Sequence, residues 1–129
     1  MNKLEFKNLK YLFPEKTEIN NKGVLEINKN DLSDLVKKYG SPLYIYDENT
    51  IRNISKSYVN SFKSKYENIH VSYSSKAFSN PVLSKILLEE GLGIDVVSGG
   101  ELEILLRSKF PMQEVNFHGN NKSEDELIK

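Results

Sequence analysis

The chain has no cysteine and no tryptophan, and only two methionines, two histidines and four prolines in 129 residues. Without cysteine there is neither a disulfide framework nor a thiolate metal site. The two histidines, His70 and His118, have no acidic cluster beside them and give no zinc signature. Eighteen Lys and Arg balance eighteen Asp and Glu, so no net field draws the chain to nucleic acid or to an anionic membrane. No apolar run approaches the ~20 residues of a membrane span. The opening Met1-Asn2-Lys3-Leu4-Glu5-Phe6-Lys7 lacks the apolar stretch of a secretory signal. There is no phosphate-cradling P-loop either, since Gly91-Leu92-Gly93 reads as a helix stop followed by a strand. A soluble, cytoplasmic α/β protein is the expectation.

What is present centres on Lys76. Residues 69–76 have a strand pattern that ends on this lysine and passes at once into a helix start. Alternate strand side chains share a face, so Ser72, Ser74 and Lys76 point one way and Val71, Tyr73 and Ser75 the other. A lysine on a small, polar face at the carboxyl end of a strand has room for a ligand. Its amine, partly desolvated, can form a Schiff base with an aldehyde.

The strand-to-helix pattern recurs. Residues 81–90 read as a helix with Asn80 as cap, Pro81 at the first position, an apolar stripe of Val82, Leu83, Ile86 and Leu87, and Gly91 as stop. A strand over 94–98 leads into Gly99-Gly100-Glu101-Leu102, where Ser98 and Glu101 have capping-box spacing. The helix that follows carries Leu102, Leu105 and Leu106. A third strand, 115–118, meets Gly119-Asn120-Asn121-Lys122-Ser123, with Ser123 and Glu126 as another capping box. Three such units within ~60 residues predict parallel β/α repeats. Asp95 shares a face with Val97 and is expected to point into the mouth; a buried carboxylate needs a partner, which an adjacent lysine or a bound group would supply. His118 shares the face of Asn116 and reads either as a wall of the site or as a core histidine.

Ahead of Lys76 the organisation is coarser. Residues 1–22 are polar and loosely patterned, which predicts an extended lead-in. Residues 24–27 suggest a strand, 31–39 a helix carrying Leu32, Leu35 and Val36, and 43–46 another strand. Asp47 is placed to cap a longer helix whose Ile51, Ile54, Tyr58, Phe62 and Tyr66 keep helical spacing.

The run around Lys76, the run 91–102 and the run Phe117-His118-Gly119-Asn120-Asn121-Lys122-Ser123 resemble, in order and spacing, the amino-terminal part of the fold-type III pyridoxal-phosphate-dependent decarboxylases, in their diaminopimelate branch. The entry segment Gly40-Ser41-Pro42-Leu43-Tyr44-Ile45-Tyr46-Asp47 resembles that family too, and the match covers roughly residues 23–127. The resemblance implies an alanine-racemase-like (β/α)8 TIM barrel, pyridoxal 5'-phosphate as cofactor and Lys76 as its Schiff-base lysine. It makes meso-diaminopimelate the substrate and implies a homodimer, and Asp95 and His118, read from their strand faces above, are the further candidate cofactor-binding residues. Ser98 and Glu101 read as a helix cap, and Gly119 to Lys122 as the turn at the mouth. One departure is Ser75-Lys76-Ala77-Phe78 where the family has Val-Lys-Ala-Asn. Ser75 lies on the helix side by alternation, so the change bears on packing.

A (β/α)8 barrel needs about 250 residues. The expectation is therefore that residues 1–46 form a lead-in belonging to a β-rich domain, so that 24–27 lacks its sheet partners. Residues 47–129 would then be the first three β/α units of a truncated barrel, poorly stable and inactive alone. The family's phosphate-holding glycine turn, its acid near the pyridine nitrogen and its substrate-binding cysteine would lie beyond residue 129. Other readings are a decarboxylase of ornithine, arginine or carboxynorspermidine, and a non-catalytic pyridoxal-phosphate-binding barrel.

Overall fold

The computed structural model describes residues 3–129, as two compact units, Met1–Ile51 and Arg52–Lys129.

In the first unit, helix α1 (Lys3–Leu9) and a following 3-10 turn stand where an extended lead-in is expected. The cause is tertiary: Phe6 is buried and its ring lies 5.5 Å, centre to centre, from Phe13. Three short strands follow, β1 (Thr17–Ile19), β2 (Leu25–Ile27) and β3 (Asn30–Asp31). They pair antiparallel in that order, with Glu18 opposite Glu26 and Glu26 opposite Asp31. The expectation that β2 lacks sheet partners is thus corrected, because β1 and β3 flank it. Asp31 caps helix α2 (Leu32–Tyr39), accepting from the Ser33 and Asp34 amides, and Gly40 closes it at φ 86°.

Residues 43–46 are not a strand. Leu43 and Ile45 are half-buried and Tyr44 and Tyr46 exposed, so the alternation persists without a hydrogen-bonded ladder. The Asp47 carboxylate accepts from the Thr50 amide at 3.0 Å and starts helix α3 (Glu48–Lys63). Its buried residues are Ser55 and Val59, whereas Ile54, Tyr58 and Phe62 are exposed, and Tyr66, expected on the same helix, lies exposed beyond its end. The apolar stripe read from spacing is therefore not the packed face. Both series step by four residues, and spacing alone does not choose between adjacent faces.

The second unit holds a parallel three-stranded sheet: β4 (Ser72–Ser74), β5 (Gly93–Val96) and β6 (Val115–Phe117), with β5 central. Helix α4 (Pro81–Glu89) joins β4 to β5, helix α5 (Gly99–Arg107) joins β5 to β6, and α6 (Glu124–Ile128) follows β6. The Asn80 cap, the Ser98–Glu101 and Ser123–Glu126 capping boxes and the left-handed Gly91 all stand as expected. The core comprises Leu83, Ile86, Leu87, Leu92, Ile94, Val96, Leu102, Leu105 and Phe110. Val82 and Leu106, assigned to apolar stripes, face outward. Arg52 ties α3 to α4, donating to Glu89 at 2.7 Å and to Glu90 at 2.8 Å.

Lys129 and Arg107 both bond Glu103, and they hold its carboxyl down to about 2, Lys129 being the larger cause. A depressed carboxyl stabilises the fold above its ordinary value near 4.5, and that contribution is lost as pH falls toward 2. The urea midpoint should therefore fall between pH 5 and pH 3, less steeply in Glu103→Gln. The effect should be small and should shrink in molar salt, since the pair is at the surface.

Candidate active site

The parallel register sets Ser74, Asp95 and Asn116 side by side across β4, β5 and β6, with Ser72 and Gly93 one layer below. The Asn116 side-chain amide donates to Asp95 Oδ1 at 3.0 Å and to Ser72 Oγ at 3.3 Å. That shared donor shows that Ser72, Asp95 and Asn116 project from one face. Their neighbours Tyr73, Ile94 and Val96 face the helix layer, where Ile94 and Val96 are buried. Asp95 is half-buried, and its partner is Asn116 where the sequence suggested a lysine or a bound group.

Lys76 stands in a single 3-10 turn, Ser75–Ala77, at the carboxyl end of β4. The buried Ser75 hydroxyl donates to the Asp95 carbonyl at 2.9 Å, and the Tyr73 hydroxyl to the Phe78 carbonyl at 3.0 Å. The turn is thereby held to the neighbouring strand and to its own exit. Ser75, read as a packing change, therefore also anchors the backbone beside the reactive amine. Lys76 itself is exposed and makes no ion pair or hydrogen bond among the described residues.

His118 lies just past β6, exposed, its amide donating to the Val96 carbonyl at 2.8 Å. It is at the rim, not in the core. Val97, its neighbour across the sheet, is exposed as well. Two residues that sequence reasoning did not assign close the opposite end of the face. The His70 ring lies over Gly93, where an added Cβ would meet His70 Nε2 at 2.3 Å and the Glu114 carbonyl at 2.6 Å. Glu114 Oε2 is 3.4 Å from His70 Nδ1. Glycine at 93 is needed for space. A signal for this was available, because residues 70, 72 and 74 alternate onto one face.

A primary amine at a strand end can condense with a carbonyl group, and the carboxylate on the adjacent strand and the small hydroxyl side chains offer polar partners beside it. The sequence model described as "Pyridoxal-dependent decarboxylase, pyridoxal binding domain" matches residues 51–129, and the chain belongs to that family. The family's cofactor is pyridoxal phosphate, and Lys76, Asp95 and Asn116 all fall within the matched residues.

Named relatives are more particular. The chain is similar to diaminopimelate decarboxylase of Bacillus methanolicus, 47% identical over 111 residues, covering 86% of this chain and 26% of that protein. It is likewise 47% identical over 108 residues to that of Bacillus subtilis (strain 168), covering 84% and 25%. The Synechocystis sp. protein of the same name is 42% identical over 125 residues, covering 90% and 27%. The chain spans about a quarter of the length of these curated relatives.

Proposed function

We propose that the chain is the lysine-bearing amino-terminal part of a diaminopimelate decarboxylase, which releases CO2 from meso-diaminopimelate to give L-lysine. Residues 47–129 would be the first three β/α units of a (β/α)8 barrel, and residues 1–46 a lead-in on the side of a second, β-rich domain. The intact protein would act in the cytoplasm as a homodimer. The observation that carries the reading is Lys76 at the end of β4, the strand next to the one whose Asp95 pairs with Asn116, inside the family match.

Bound pyridoxal phosphate supplies an electron sink for the carbon left when CO2 departs. Lys76 would hold the cofactor covalently through Nζ, and the same amine, when free of it, would deliver a proton. Asp95 places a negative charge on the strand next to the lysine, and Asn116 fixes that carboxylate by donating to Oδ1. His118 is assigned to the wall at the rim.

Borohydride reduction of the intact protein should fix pyridoxal phosphate on the peptide containing Lys76, and CO2 should be released from meso-diaminopimelate in preference to ornithine or arginine. An adduct on a different lysine would refute the assignment.

Asp95→Ala should leave the fold intact while weakening cofactor binding or slowing turnover. Asn116→Ala should do the same more mildly, by about tenfold, the equivalent of one hydrogen bond to a charged group. Because Asn116 acts through Asp95, adding its change to Asp95→Ala should have little further effect. Full additivity in cofactor affinity would separate the two residues.

A further inference from the structure

The Glu126 carboxylate reaches out of its own helix. Oε2 accepts from the Ser123 amide at 3.0 Å while the Glu126 amide donates to Ser123 Oγ at 3.2 Å, the two bonds of a capping box, and Oε2 also accepts from the Ser123 hydroxyl at 3.2 Å. Oε1 accepts from the Gly99 amide, the first residue of α5, at 2.7 Å. One carboxylate therefore joins the loop after β5 to the loop after β6. The first loop follows Asp95 and Val97; the second follows Asn116 and His118.

The glycine at 99 fits this role. No left-handed backbone explains it, but a Cβ there would meet Glu126 Cγ at 3.1 Å and Oε1 at 3.2 Å. At Gly100 the nearest atom to an added Cβ is Ser98 Oγ, at an ordinary 3.9 Å. So Gly99 leaves room for the carboxylate, and Gly100 does not serve that purpose. The Ser123 and Gly99 amides also hold the Glu126 carboxyl below its ordinary range. The neighbouring Glu101 is engaged separately, accepting from the Val97 amide at 2.6 Å and the Ser98 amide at 3.1 Å.

We propose that Glu126 is a positioning residue of the site, which sets the separation of the second and third strand-to-helix loops at the mouth by bonding the Gly99 amide. The proposal rests on the cofactor reading above. It acts on the segments that begin at Val97 and His118, each one residue past the last registered pair, Val96 and Phe117.

The test compares variants of the intact protein by amide hydrogen exchange at Gly99 and by affinity for pyridoxal phosphate. Ser123→Ala and Glu126→Ala both damage the cap of α6, but only Glu126→Ala removes the bond to Gly99. Glu126→Ala and Gly99→Ala should each speed Gly99 exchange (residue 99 in either background) and weaken cofactor affinity about tenfold. Ser123→Ala and Gly100→Ala should leave both unchanged, and Glu126→Gln, which keeps an acceptor oxygen, should recover part of the loss. Equal cofactor affinity in Ser123→Ala and Glu126→Ala would overturn the proposal, as would unchanged Gly99 exchange in Glu126→Ala. Borohydride labelling of Lys76 in the wild type decides the cofactor reading separately. If that label fails, the link is still judged on Gly99 exchange.

Discussion

Lys76→Ala is expected to abolish decarboxylation by the intact protein, with a loss of about three orders of magnitude or more. The magnitude follows from the two tasks assigned to one amine, covalent attachment and proton transfer, the second alone being worth about 10²–10⁴. Lys76→Arg should be nearly as damaging. It keeps the positive charge but lacks an amine that can condense with an aldehyde, and so separates charge from nucleophilicity. Both variants should lose the borohydride-stable adduct on this peptide. Neither should unfold, because Lys76 is exposed and its turn is held by Ser75 and Tyr73. Lys85→Ala, an exposed lysine on α4, should retain full rate and labelling. Activity surviving in Lys76→Arg would show that the amine is not the attachment point.

How much of this could be read from sequence depends on how local the cause is. Asn80, Ser98 and Ser123 cap helices through groups within three residues, and each was legible. So was the face carrying Ser72 and Ser74, because strand alternation is a property of the backbone; the strand stops at Ser74, and Lys76, expected to close it, stands in the 3-10 turn beyond. Helix α1 was not, because its support is Phe6 packed on Phe13. Nor was the buried side of α3, where Ser55 and Val59 lie inward and Ile54, Tyr58 and Phe62 do not. The site divides in the same way. Lys76 and Asp95 follow from pattern, whereas the bond from Asn116 to Asp95 depends on the inter-strand register, which no single strand encodes. The same holds for His70 over Gly93 and for the Glu126 link to Gly99.

Leu105→Ala is expected to have the largest effect on stability. Leu105 is 1% exposed, on the inner face of α5, while Leu106 beside it is 38% exposed. Truncating a buried leucine removes transfer free energy and leaves a cavity, together about 3 kcal/mol, against a domain's net stability of about 5–15 kcal/mol. Leu106→Ala should cost well under 1 kcal/mol, as surface changes do. The consequence should reach the site. Leu105 borders a narrow void shared with Tyr73, Leu83, Leu87, Ile94 and Phe78, and the hydroxyl of Tyr73 holds the exit of the Lys76 turn through the Phe78 carbonyl. Loosening that layer should lower cofactor affinity as well as the urea midpoint. Leu105→Met, which nearly conserves volume, should restore most of both, with a residual cost below about 1.5 kcal/mol. If Leu105→Ala moved the midpoint no further than Leu106→Ala, the packing between α5 and the sheet would not be what supports the lysine-bearing turn.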